Sequence, residues 1–245
     1  VGGAISIGSG LLLGREGPSI QLGASVGQGV AESFKANRVQ KNVFISSGAG
    51  AGLAAAFNAP IAGLMFVLEE VHHTFSPLVA VTTLTAAIIS NFISLNVFGI
   101  HPSLNLGNDQ RFPMEYYGYV VLLGIILAIF GLAYHRLTLA LPKIYKTLFP
   151  KVAPYNYCLI AFMLIIPLGM WNPHVLGGGG ELVLALVKEN HTVQFLLGLF
   201  VIRFVYSMIS YGTGLPGGIF LPILSLGALL GLAYAEFLID FLGVD

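Results

Sequence analysis

Gly14-Arg15-Glu16-Gly17-Pro18 sets two charged residues between apolar runs. Residues 1–13 (VGGAISIGSGLLL) lead in, and residues 19–31 (SIQLGASVGQGVA) lead out with small residues at helical spacing. The glycines free the backbone to bend sharply. Pro18 suits the first turn of a helix, where its missing N–H is not needed. The pattern predicts a broken segment whose downstream helix starts inside a membrane. The unpaired N–H groups of that start, and the positive end of its dipole, then point at whatever lies before Pro18. Such a start attracts anions, and Glu16 puts a carboxylate beside it.

Composition agrees with a membrane setting. Of the 245 residues, 56% are hydrophobic and 9% charged, against about 25% charged in a soluble domain. Apolar runs recur to the end of the chain, so neither a signal peptide nor a lone anchor accounts for them. The expected class is an all-α, multi-pass integral membrane protein. A formal net charge of zero argues against nucleic acid as a partner. Cys158, the one cysteine, excludes an internal disulfide framework and a thiolate metal site. The 31 glycines fit close helix packing and helix breaks in lipid. The chain opens on Val1 and stops at Asp245 just after an apolar run, and a fragment of a longer protein is expected.

Taken in order, residues 1–13 read as the end of one helix. Residues 18–34 read as the next, short of the roughly 20 apolar residues a span needs. A basic connection follows with Lys35, Arg38 and Lys41, its side of the membrane left open. The Gly-, Ala- and Ser-rich residues 42–57 predict a tightly packed helix pair. Asn58-Ala59-Pro60 breaks it, and 61–71 form a short helix ending in Glu69, Glu70, His72 and His73. Two half-length helices around a break are typical of transporters that line a cavity with irregular backbone. Residues 77–98 are long enough to cross. A polar loop from about 100 to 113 holds Asn108, Asp109 and Arg111. Residues 114–141 predict a long, tilted helix with His135 and Arg136 near its end. Lys143, Lys146 and Lys151 then mark a connection that the positive-inside rule places in the cytoplasm. Counting back puts Glu69 and Glu70 near the cytoplasmic surface. Residues 155–171 cross again and end at Trp171, an interfacial anchor. A flexible break at 177–180 precedes a short segment, 181–188. Residues 192–210 span, with Arg203 inside as a structural cation paired with a carbonyl or with Glu181.

A second break runs from Gly212 to Pro222 (GTGLPGGIFLP), with a helix over 223–241. It shares the grammar of the first: glycines, then a proline that serves as the first helical residue. Paired interruptions in two halves of a membrane protein point to a site at the interface of inverted repeats. If both starts converge, their amides cradle a small anion without a cationic side chain that would hold it too tightly to release. A carboxylate at membrane depth is costly and is a functional candidate. Glu16, protonated and swung away, opens the route; ionised, it competes with the anion. Glu70 raises the same question against the plainer reading of a solvated acid at a helix end. His72-His73 beside Glu69-Glu70 lack the spacing of a helical metal site. The sequon Asn190-His191-Thr192 is too common a pattern to weigh.

These residues resemble the CLC family of chloride channels and proton-coupled chloride transporters. The likeness rests on Gly14-Arg15-Glu16-Gly17-Pro18, on Gly52-Leu53-Ala54-Ala55-Ala56-Phe57-Asn58-Ala59-Pro60 running into Glu69-Glu70, and on Gly218-Ile219-Phe220-Leu221-Pro222. It implies an inverted-repeat fold of broken, tilted helices, incomplete at both ends. Residues 1–99 would be the latter part of the first repeat half, and 114–245 the first part of the second. It implies voltage- or proton-linked transport of chloride or a similar small anion, most simply as an anion/proton antiporter and not an enzyme. Glu16 aligns with the gating and proton-carrying glutamate, and Glu70 with the inner proton glutamate. The amides of Arg15, Glu16, Gly17, Ile219 and Phe220, with Gly218 leading in, would bind the anion. The implied partners are the anion, protons, membrane lipid and a second copy in a homodimer, with 61–71 and 77–98 at the dimer face; no cofactor is implied. A bacterial plasma membrane is the expected location.

The chain also departs from the family pattern. The Gly-Ser-Gly-x-Pro turn whose serine touches the central ion is expected upstream. Gly8-Ser9-Gly10 lies too close to Glu16 and lacks the proline. The tyrosine that closes the site from inside is expected beyond Asp245. A passive anion channel of the same family is the competing expectation. A purely structural subunit, and an intramembrane metal hydrolase using Glu69, Glu70, His72 and His73, are the readings from other classes.

Overall fold

A computed structural model describes residues 2–99, 113–186 and 191–243. Asn108, Asp109 and Arg111 of the expected polar loop, and Asn190 of the sequon, lie outside the described residues. The chain divides into two compact units, Arg15–Leu104 and Val1–Gly14 with Asn105–Asp245. Residues 1–14 thus group with the second half of the sequence.

The Arg15–Leu104 unit holds α2 (Glu16–Ser33), α3 (Arg38–Phe57), α4 (Pro60–Phe66) and α5 (Pro77–Phe98). α2 and α3 approach so closely that only glycine fits. A Cβ on Gly23 would fall on the Gly48 carbonyl, one on Gly27 on the Phe44 carbonyl, and one on Gly52 on the Ser19 carbonyl. This is the close small-residue packing expected of the Gly- and Ala-rich stretch. The opposite side of α3 is equally tight. A Cβ on Gly50 would lie 2.8 Å from the Gly63 carbonyl oxygen of α4 and 2.8 Å from the Thr83 methyl of α5. Ser47 Oγ adds hydroxyl contacts to Thr82 at 3.1 Å and Thr83 at 3.2 Å.

α3 starts earlier than its apolar pattern, because Asn37 and Gln40 form a reciprocal capping box over Arg38 and Lys41. Lys41 Nζ lies 2.6 Å from Glu32 Oε1 and ties the end of α2 to the start of α3. The hydrogen bond from Lys41, then that from Gln28, then the Lys41 charge, hold the Glu32 carboxyl below its ordinary value. α3 ends where Asn58 turns left-handed at φ 55, at the expected Asn-Ala-Pro break. After α4 the backbone widens into a π-helical turn, Val67–His72, which carries Glu69 and Glu70. Nothing in the helical periodicity of 61–71 signals that widening.

The other unit holds α1 (Gly2–Gly8), α6 (Tyr117–Leu148), α7 (Tyr157–Trp171), α8 (Gly180–Leu186), α9 (Val193–Gly212) and α10 (Phe220–Leu242). Its core gathers Leu196, Leu199 and Tyr206 of α9, Leu229 of α10 and the run Leu11-Leu12-Leu13. α6 joins through Phe130 and Tyr134, whose rings meet Phe204 edge-on, and through a 3.0 Å contact between Tyr134 Oη and Ser207 Oγ.

Three expectations need correction here. The helix read over 1–13 stops at Gly8; Gly10 takes φ +96, and Leu11–Leu13 run on non-helically in the core. The helix read over 114–141 continues through Pro142 to Leu148, so Lys143 and Lys146 ride on its last turns and not in a connection. Tyr145 secures that extension by donating to the Ile209 carbonyl at 2.7 Å. The glycines at 177–180 form a bonded turn: Gly177 N–H donates to the Gly10 carbonyl at 2.9 Å.

Among the described residues, five helices are long and apolar enough to cross a membrane: Pro77–Phe98, Met114–Leu148, Pro154–Trp171, Val193–Gly212 and Phe220–Phe241.

Candidate functional site

The two breaks are equivalent residue by residue. α2 begins at Glu16 and α10 at Phe220. Each proline is therefore the third helical residue, two places later than the sequence suggests. Pro18 and Pro222 still lie in the first turn, where an N–H has no intrahelical acceptor to lose. Arg15 (φ −81, ψ −11) and Ile219 (φ −103, ψ −9) occupy the same N-cap position, and neither makes a side-chain cap hydrogen bond. Ser, Thr, Asn or Asp, the usual caps, are absent from both. The Arg15 and Ile219 carbonyls accept the first helical bonds from Ser19 and Ile223, each at 3.0 Å.

The residues before those caps meet. Gly14 and Gly218 exchange both backbone hydrogen bonds, at 2.7 and 2.8 Å, in an isolated antiparallel bridge. Neighbouring contacts hold the two lead-in segments in place. Ser6 Oγ donates to the Pro216 carbonyl at 3.0 Å, and Leu12 N–H donates to Ser210 Oγ at 3.3 Å. A Cβ on Gly217 would stand 2.6 Å from Leu13 Cβ, so the segments touch where only glycine fits.

Glu16, the first residue of α2, is buried at 5% exposure. Arg15 is exposed, Gly17 half-buried, Gly218 and Ile219 half-buried, and the Phe220 side chain exposed. Glu69 and Glu70 are both exposed on the π-helical turn. His72 Nε2 lies 3.0 Å from Ser46 Oγ. Ser46 Oγ also lies within reach of the Asn42 carbonyl, at 2.8 Å. His72 is therefore turned toward α3.

Arg203 is the residue whose part the sequence understates. It is wholly buried on α9. Nη1 donates to the carbonyls of His174 at 2.7 Å and Val175 at 3.0 Å; Nη2 donates to the Gly177 carbonyl at 3.3 Å and to Ser225 Oγ at 3.1 Å. Carbonyls were expected as its partners, and they are joined by a serine of α10. Gly179, at φ +94, leaves the space the guanidinium occupies: a Cβ there would fall on Arg203 Nη2 and lie 2.6 Å from Ser225 Oγ. Gly179→Ala is expected to cost about 1–3 kcal/mol through overpacking, with left-handed strain added. A drop in the thermal midpoint of the purified protein checks this.

The sequence profile described as voltage gated chloride channel matches residues 1–244. The chain belongs to the voltage gated chloride channel family. It is 33% identical over 243 residues to the H(+)/Cl(-) exchange transporter ClcA of Klebsiella pneumoniae, covering 96% of this chain and 51% of that protein. It is 32% identical to ClcA of Citrobacter koseri, covering 96% of this chain and 50% of that protein. The chain thus spans about half the length of the curated relatives it matches. The crystal structure of a slow cyanobacterial Cl⁻/H⁺ antiporter superposes with a TM-score of 0.82 at 29% identity, over 97% of this chain and 56% of that one. A CLC-type fluoride/proton antiporter superposes with a TM-score of 0.73 at 23% identity, over 96% and 58%, and this likeness shows the fold. The chain is therefore an all-α, multi-pass integral membrane protein of CLC type, as its three motifs imply.

Proposed function

We propose that this chain forms part of an anion/proton antiporter that exchanges chloride, or a similar small anion, for protons. The observation that carries the reading is the reciprocal Gly14–Gly218 bridge directly before two helix starts of the same build. A helix start turns N–H groups and the positive dipole end toward an anion. In this reading Arg15, Glu16, Gly17, Gly218, Ile219 and Phe220 supply the backbone around the anion. Glu16, which is buried, is the gate and proton carrier, and Glu70 receives protons on the inner side. Residues 1–99 belong to the first repeat half and 114–245 to the second, and the protein pairs as a homodimer through the face of α4 and α5. That the ClcA relatives are H(+)/Cl(-) exchange transporters supports antiport over a passive channel.

Full-length protein in liposomes tests this. An outward chloride gradient is expected to drive protons uphill, and a proton gradient to shift the reversal potential. A reversal potential that follows chloride alone, whatever the pH difference, would establish the channel instead.

A further inference from the structure

We infer that Arg203, acting through Ser225, fixes the first turn of α10 and so sets the anion-facing start at Ile219 and Phe220. Arg203 is a positioning residue; it is not assigned a contact with the ion. The inference rests on the proposed anion site.

The hydrogen-bond directions make the tether specific. A guanidinium only donates, so Ser225 Oγ must accept from Arg203 Nη2. That leaves the single hydroxyl proton for the Pro222 carbonyl, 2.9 Å away. Pro222 is the third residue of α10, and its carbonyl belongs to the turn that the proposed site uses. The tether therefore runs from α9, through one hydroxyl, to the first turn of α10. Its other end is equally defined: Nη1 is held by the His174 and Val175 carbonyls, and Nη2 by the Gly177 carbonyl. The same glycine turn packs on α10 directly, since a Cβ on Gly178 would lie 3.4 Å from Leu221 Cδ1. It also reaches the lead-in to Gly14 through the bond from Gly177 to Gly10.

Core stability alone does not call for a cation here. An apolar side chain of similar volume often serves as well as a buried charge, and a charge at bilayer depth is costly. Among the described residues no carboxylate pairs with Arg203. What the planar fork supplies is fixed directions toward several oxygens at once, which a flexible ammonium does not reproduce.

The test uses full-length protein and measures chloride affinity by calorimetry beside the thermal midpoint. Ser225→Ala removes the link and keeps the core. It is expected to raise the chloride Kd about 3- to 10-fold, the scale of one ordinary hydrogen bond lost from the tether, with little change in midpoint. Arg203→Lys, which keeps the charge and loses the fork, is expected to raise Kd likewise. Leu229→Ala, a fully buried core change on the same helix, is expected to lower the midpoint and leave Kd unchanged, which separates positioning from general loosening. Folded Ser225→Ala and Arg203→Lys proteins that bind chloride as the wild type does would overturn the inference and leave the anion site standing. Wild-type protein that binds no chloride would overturn both.

Discussion

Full-length protein carrying Glu16→Ala, reconstituted in liposomes, is expected to conduct anions while proton movement falls to the background leak. The expectation follows from the two states of one carboxyl group. In the proposed mechanism the ionised side chain occupies the place of the anion, and the neutral side chain leaves it. Removing the carboxyl removes both the competitor and the only proton carrier at that point. Anion flux then no longer waits on a proton, and the two gradients uncouple. Glu16→Gln, which mimics the neutral form, is expected to behave alike, and its anion flux should not vary with pH. Uphill proton movement that persists in the Glu16→Ala protein would remove this residue from the proton route.

Much of this arrangement was legible in the residues, and what was not has a physical cause. The two breaks announced themselves because glycine followed by proline has few other uses between apolar runs. The glycines of α2 and α3 announced a tight seam, since small residues four apart are what a close helix pair requires. The prolines misled by two residues, because a proline is tolerated anywhere in a first turn and does not mark its first position. Leu11-Leu12-Leu13 read as helix because an apolar run has no period of its own. Its place among the buried side chains of α9 and α10, and not its own pattern, goes with its non-helical course in the core. The helix read over 114–141 was cut short at the lysines, yet α6 runs on through Pro142 to a turn that Tyr145 anchors on α9. The Gly14–Gly218 bridge and the tether from Arg203 to Ser225 join residues far apart in the chain, and no local pattern encodes them.

The seam between α2 and α3 should be the least forgiving part of the Arg15–Leu104 unit. Gly48→Val is expected to prevent recovery of folded protein, and Gly48→Ala to destabilise it. The first added carbon of either residue would fall on the Gly23 carbonyl. Backbone cannot rotate aside as a side chain can, so the helices must separate. α3 has no room to retreat, because on its other side Gly50 is already against Gly63, Val67 and Thr83. One methyl forced into such a contact costs about 1–3 kcal/mol, and the larger valine more. Separation would also weaken the neighbouring approaches at Gly27 and Gly52, so the loss should spread along the whole seam. Gly29→Ala is the matched comparison. It changes α2, the other helix of the seam, at an exposed position where an added Cβ meets nothing within 4 Å. Replacing a helical glycine with alanine there should be neutral or favourable by up to about 1 kcal/mol. Size-exclusion profiles and thermal midpoints of full-length proteins distinguish the cases. If Gly48→Val matched the wild type on both, the close approach of α2 and α3 would be wrong. With it would go the rigid frame that delivers Glu16 to the start of its helix.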